Sequence, residues 1–134
     1  MEIAVTGIGA ISAIGDDVQG NLASLLAKKT GIGKAELLSS KLTETHLFGE
    51  VKLSNAQLKA GLNWKGDAVS RTTLLSAWAM KEAIEQSGFE MDKQVGLVSS
   101  TSVGGMDRSE GFFEPYYLEQ DFSNVFLLGT HDCG

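Results

Sequence analysis

Apolar positions along this chain follow two spacings. Ile3-Ala4-Val5, and Val95 with Leu97 and Val98, are short runs rich in β-branched residues, as in strands buried on both faces. Elsewhere apolar residues recur every three or four positions, the spacing of helices. Asp16 or Asp17 caps the first helix, which carries Val18, Leu22, Leu25 and Leu26 on one stripe, Lys28 and Lys29 in its last turn, and Gly31 as its stop. Phe48 to Leu53 alternates loosely, as an edge strand does. Ser54 and Gln57 have capping-box spacing, and Leu53 and Leu58 are placed for a hydrophobic staple, which predicts a short helix ending near Gly61. Ser70 opens the strongest helix, running to about Ser87. Leu74, Ala77, Trp78 and Ile84 form its main stripe. Leu75, Ala79 and Ala83 widen it, which predicts burial on more than one side, with small alanines admitting a close neighbour. Gly88 suits the left-handed position that ends a helix. Asp107 or Ser109 caps a last helix through Phe112 and Phe113. Pro115 is expected to break it at Glu114, before a further turn through Tyr116, Tyr117 and Leu118.

The order strand, helix, strand, helix, helix, strand, helix predicts an α/β layered fold, a mostly parallel sheet flanked by helices. A length of 134 residues is room for one domain. The net charge of −6, with no basic cluster, argues against nucleic acid as a partner. No apolar run reaches the roughly 18 residues of a membrane span, and the start lacks the positive region of a signal peptide. A single cysteine excludes an internal disulfide and suits a reducing, cytoplasmic setting. Phe126 to Gly134 is not a polar tail, and reads as a fold interrupted partway.

The richest stretch for chemistry is Gln94 to Glu110. Its apolar run turns small and polar at Ser99, Ser100, Thr101 and Ser102, then reaches Gly104-Gly105. In α/β proteins the end of a buried strand opening into a glycine-rich loop is where ligands bind, although a plain turn has the same spacing. Gly7 and Gly9 resemble the start of a dinucleotide fingerprint, but Ser12 stands where its third glycine belongs and the helix starts too late. The structural reading there is a close backbone crossing. Gly33-Lys34 lacks the rest of a phosphate loop. His46 stands alone, and Trp64 reads as a cover for the core. Cys133 and His131 would need an orienting third group and an oxyanion hole to act as a dyad.

Ile3 to Gly15, Ser70 to Gly88 and Val95 to Glu110 together resemble the N-terminal part of β-ketoacyl-acyl-carrier-protein synthases. Thr30 to Gly33 and Thr130 to Gly134 are also similar to that family. The resemblance implies the first half of a thiolase-like fold, with residues 1–134 an incomplete N-terminal portion. It also implies decarboxylative condensation of an acyl thioester with a malonyl unit on acyl carrier protein, in fatty acid or polyketide synthesis. No cofactor or metal is implied. The nucleophilic cysteine and catalytic histidines would lie outside this sequence, so the chain alone should not catalyse condensation, and Cys133 becomes a packing residue. Val103 matches the family position where an apolar side chain gates the acyl pocket. Phe126, Leu127 and Leu128 resemble the segment that closes a neighbouring subunit's pocket, with plain core packing equally open for these three. The implied partners are acyl carrier protein and an identical or related synthase subunit. Only Lys65 and Arg71 supply positive charge before the long helix, which weakens carrier docking through that face.

Two other readings stand beside this one: a non-catalytic partner subunit like the chain-length factors, and a nucleotide-binding α/β domain. Unpaired strand edges and bare apolar surface would make the isolated chain self-associate.

Overall fold

The computed structural model describes residues 2–90, 94–123 and 125. The elements in order are helix α1 (Val18–Leu26), strand β1 (Ile32–Gly33), a 3-10 turn (Lys41–Glu44), strand β2 (Phe48–Gly49), and helices α2 (Asn55–Leu62), α3 (Arg71–Ser87) and α4 (Met106–Glu119). β1 and β2 pair antiparallel, Ile32 opposite Gly49 and Gly33 opposite Phe48.

The centre of the fold is the α2–α3 pair. Ser54 caps α2 by a full capping box: its hydroxyl accepts from the Gln57 amide and Gln57 Oε1 accepts from its own amide. Leu53 packs with Leu58 as the staple requires, in a core of Leu58, Val69 and Leu74 edged by Ile11, Leu62, Leu75 and Trp78. Asn63, left-handed at φ 56°, ends α2. α3 begins at the Ser70 cap and ends at Gly88, φ 64°, both as the sequence predicts. Trp78 lies over Gly61, where an added Cβ would sit 2.4 Å from the ring, and its indole N–H donates to the Asp16 carbonyl. Lys81 ties the same two helices through the Gly61 carbonyl.

A second side of α3 is covered by the N-terminal segment. A Cβ on Gly7 would lie 2.1 Å from the Ala83 carbonyl oxygen, and one on Gly9 would lie 1.8 Å from that of Ala79. This is the predicted close crossing, and only glycine permits it. The segment's amides are met by the helix's polar side chains. Ile8 donates to Gln86 Oε1, Ala10 to Glu82 Oε2 and Val18 to Glu82 Oε1, at 2.6, 3.0 and 2.8 Å.

Four expectations need correction. The predicted parallel sheet is absent among the described residues, whose named strands form one antiparallel pair. Ile3 and Val5 are 86% and 82% exposed, and Val98 is 96% exposed. Apolar composition marks residues that need cover, but a parallel strand also needs neighbours to bond with. The leucine stripe of α1 faces outward. Asp17 caps this helix, but its inward side is polar: the buried Ser24 hydroxyl donates to the Ile14 carbonyl, and Asn21 Nδ2 donates to those of Gly15 and Asp17. The helix also ends earlier than predicted, at Leu26, with Lys28 left-handed beyond it at φ 53°. Finally, α4 runs through Pro115 without a break. Proline lacks the N–H that would bond to the carbonyl four residues back, and its ring crowds that carbonyl. The residue there is Gly111, with open space around its Cα. Phe112 stacks on Tyr116, which meets Phe122 edge-on, spanning the proline turn with aromatic contacts.

No helix among the described residues is long and apolar enough to cross a membrane.

Candidate functional site

The loop that follows Val98 lies against α3, and a cleft of about 550 Å³ separates them. One wall is α3, through Ser70, Thr73, Ser76, Ala77 and Met80. The other is Leu97, Ser99, Ser100, Thr101, Gly104 and Gly105, and Trp64 closes one end. Leu97, Ser99 and Thr101 alternate, as residues on one side of an extended segment do. Gly104 and Gly105 are both buried, and Gly105 is left-handed at φ 75°. A Cβ at Gly105 would strain the turn that starts α4.

The cleft offers hydroxyls and apolar surface but no ionisable side chain. It therefore holds no general acid, general base or nucleophile of depressed pKa. It can bind an uncharged group; it cannot by itself carry out acyl transfer. Among the described residues no three His, Cys, Asp or Glu side chains stand together as a metal site. His46 is exposed, 2.8 Å from the Thr45 hydroxyl. Val103 lies in the loop but not in the cleft lining, and is 60% exposed. Phe126, Leu127, Leu128, His131 and Cys133 lie outside the described residues.

The glycines that resemble a nucleotide turn do not form one. Gly7 and Gly9 are pressed on the α3 backbone, which leaves no room for a pyrophosphate, and the N-terminus of α1 is occupied by the Asp17 carboxylate.

Several polar side chains matter more than the sequence suggests. Arg71 is not a free cation for a carrier. Its guanidinium donates to Asn55 Oδ1 and to the carbonyls of Val51 and Leu53, at 2.8, 2.9 and 2.9 Å. Asp107 caps α3, not its own helix. Glu50 accepts from the amides of Glu36, Leu37 and Leu38 and pairs with Lys52. These bonds, that from Glu36 foremost, hold its pKa down at about 2 against partial burial. The Glu36 carboxylate raises the Lys52 pKa in turn. Only the Gly7/Gly9 and Ala79/Ala83 spacings foretold such contacts; a charged residue that bonds a distant backbone leaves no periodic trace.

The profile of the family described as "Beta-ketoacyl synthase, N-terminal domain" matches residues 1–125. Among curated proteins the chain is similar to 3-oxoacyl-acyl-carrier-protein synthase 1 of Escherichia coli, 29% identical over 115 residues, covering 81% of this chain and 27% of the relative. It is 26% identical over 115 residues to synthase 2 of Staphylococcus aureus, covering 82% and 27%. With synthase 1 of Haemophilus influenzae it shares 32% over 106 residues, covering 75% and 25%. The chain thus spans about a quarter of the length of the curated relatives it matches. No solved structure matches it.

Proposed function

The chain belongs to the beta-ketoacyl synthase N-terminal-domain family, and we propose that it supplies scaffold and one pocket wall to a protein that condenses an acyl thioester with malonyl-acyl-carrier protein. The observation that carries this reading is the match over residues 1–125, which takes in both walls of the cleft. In the complete reaction a cysteine thiolate attacks the acyl thioester and releases the carrier thiol. The malonyl unit loses carbon dioxide, and its carbanion attacks the acyl-cysteine, freeing the thiolate. Paired donors hold the oxygen on which negative charge develops. None of these groups stands in the cleft described here, so they come from the three-quarters of the protein beyond the matched part.

In that complete protein the exposed runs Ile3–Val5 and Val95–Val98 join a mostly parallel, thiolase-like sheet. Their exposure supports this, since apolar strands without cover are unfavourable in water. Val103 faces the acyl chain, and Phe126, Leu127 and Leu128 close a pocket, within a homodimer or a pair with a related subunit. Carrier docking relies on residues other than Arg71, whose side chain is engaged internally.

The test uses the complete protein with acyl- and malonyl-carrier substrates. A covalent acyl adduct and carbon dioxide release are expected, and Val103→Phe should shift selectivity toward shorter chains. Absence of both adduct and decarboxylation would identify a non-catalytic partner subunit instead.

A further inference from the structure

α4 starts directly after Gly104-Gly105, and two residues of its first turn reach away from it. Asp107 Oδ2 accepts the amide N–H of Arg71, the first residue of α3, at 3.0 Å. Arg108 donates to the Asp67 carbonyl at 2.8 Å, in the turn that leads into α3. Neither bond caps α4, whose N-cap Gly105 has no side chain to offer. Both fix the downstream end of the loop to the N-terminal end of the helix it faces. The anchor is itself held, because the Arg71 guanidinium is tied to Val51, Leu53 and Asn55. A carboxylate on a helix N-terminal amide is a charge-assisted bond in a favourable dipole.

We infer that Asp107 and Arg108 form a clasp that sets how closely the Ser99–Gly105 loop lies against α3. They are positioning residues for the wall that includes Val103. Their effect on substrate choice rests on the proposed reading of this loop as an acyl-pocket wall; the clasp does not. The loop has glycines at its end and few bonds of its own, so its place depends on what grips it.

The test compares Asp107→Ala and Asp107→Asn in the complete protein by two readouts. Hydrogen exchange of peptides covering residues 70–74 and 99–105 reports the clasp. The ratio of kcat/KM for short and long acyl substrates reports the pocket. Asp107→Ala should speed exchange about tenfold in both peptides and change the ratio several-fold. Asp107→Asn keeps an acceptor oxygen and should restore most of both. Arg108→Ala releases the other half of the clasp and is judged the same way should Asp107→Ala fail to fold. Unchanged exchange at 99–105 in either alanine variant overturns the clasp. Faster exchange with an unchanged ratio supports the clasp and overturns the pocket-wall reading.

Discussion

Substituting Gly9 by alanine tests the contact on which the N-terminal half depends. The new Cβ would lie 1.8 Å from the Ala79 carbonyl oxygen and 2.8 Å from its carbon. Both atoms are helix backbone, so no rotamer change relieves the clash. Reaching an ordinary contact of 3.4 Å requires the two backbones to part by about 1.6 Å. Such a shift breaks the bond between the Ala10 amide and Glu82, now 3.0 Å. Overpacking costs about 1–3 kcal/mol and a lost bond to a charged group about 1.5–3 kcal/mol, so Gly9→Ala should destabilise by about 3 kcal/mol or more. Urea unfolding followed by far-UV circular dichroism measures it. Gly33→Ala is the control, with nothing within 4 Å of its added Cβ, and should stay within about 0.5 kcal/mol of the parent. The obstacle is a carbonyl, not the Ala79 side chain, so Ala79→Gly should not rescue Gly9→Ala. Rescue, or a loss below about 1 kcal/mol, would refute the reasoning.

The carboxylate of Glu50 gives a pH signature. Its folded pKa, about 2, lies below the ordinary value of 4.5, so the stability it lends the 34–50 loop is present above 4.5 and is lost as pH falls toward 2. The amide resonances of Glu36, Leu37 and Leu38 should therefore titrate with a midpoint near 2 and not near 4.5, and Glu50→Gln should abolish the titration. Arg71→Lys keeps the charge but cannot span all three acceptors, and should cost about 2 kcal/mol in urea unfolding. A lysine variant as stable as the parent would show that the fork geometry is dispensable.

What the sequence revealed was local or periodic. The capping box at Ser54, the caps at Asp17 and Ser70, the left-handed Gly88 and the glycine crossing on Ala79 and Ala83 each follow from residues a few positions apart, or from small residues that match in spacing. The errors lie where distant partners decide. The leucines of α1 were read as an inward stripe, but Ser24 and Asn21 turn that helix by bonding to the 14–17 backbone. Pro115 breaks helices on average, but here the residue four positions back is a glycine. At the cleft, the glycine-rich loop was recognisable, whereas its grip through Asp107 was not. A carboxylate near a helix start is ordinarily credited to its own helix.

The two apolar runs meet opposite fates, and the difference locates where this chain needs company. Past Ile3–Val5, the amides of Ile8, Ala10 and Val18 all find acceptors on α3. Gln86 and Glu82 thus do for this segment what a neighbouring strand does in a sheet, satisfying backbone groups that burial would otherwise leave unpaired. The Val95–Val98 run has no such support: its apolar side chains are 62%, 74% and 96% exposed at Val95, Leu97 and Val98. Its only shelter is the cleft wall, reached through Leu97 and the residues after it. A side chain on α3 can replace a strand for a few amides, but it cannot cover an apolar face. Cover for residues 95–98 must then come from chain beyond the described residues or from a second subunit. Either source arrives on the side of the loop away from α3, where Val103 is exposed. That geometry is the reason to expect the acyl chain to run between this loop and the incoming surface, with the α3 cleft behind it serving as backing.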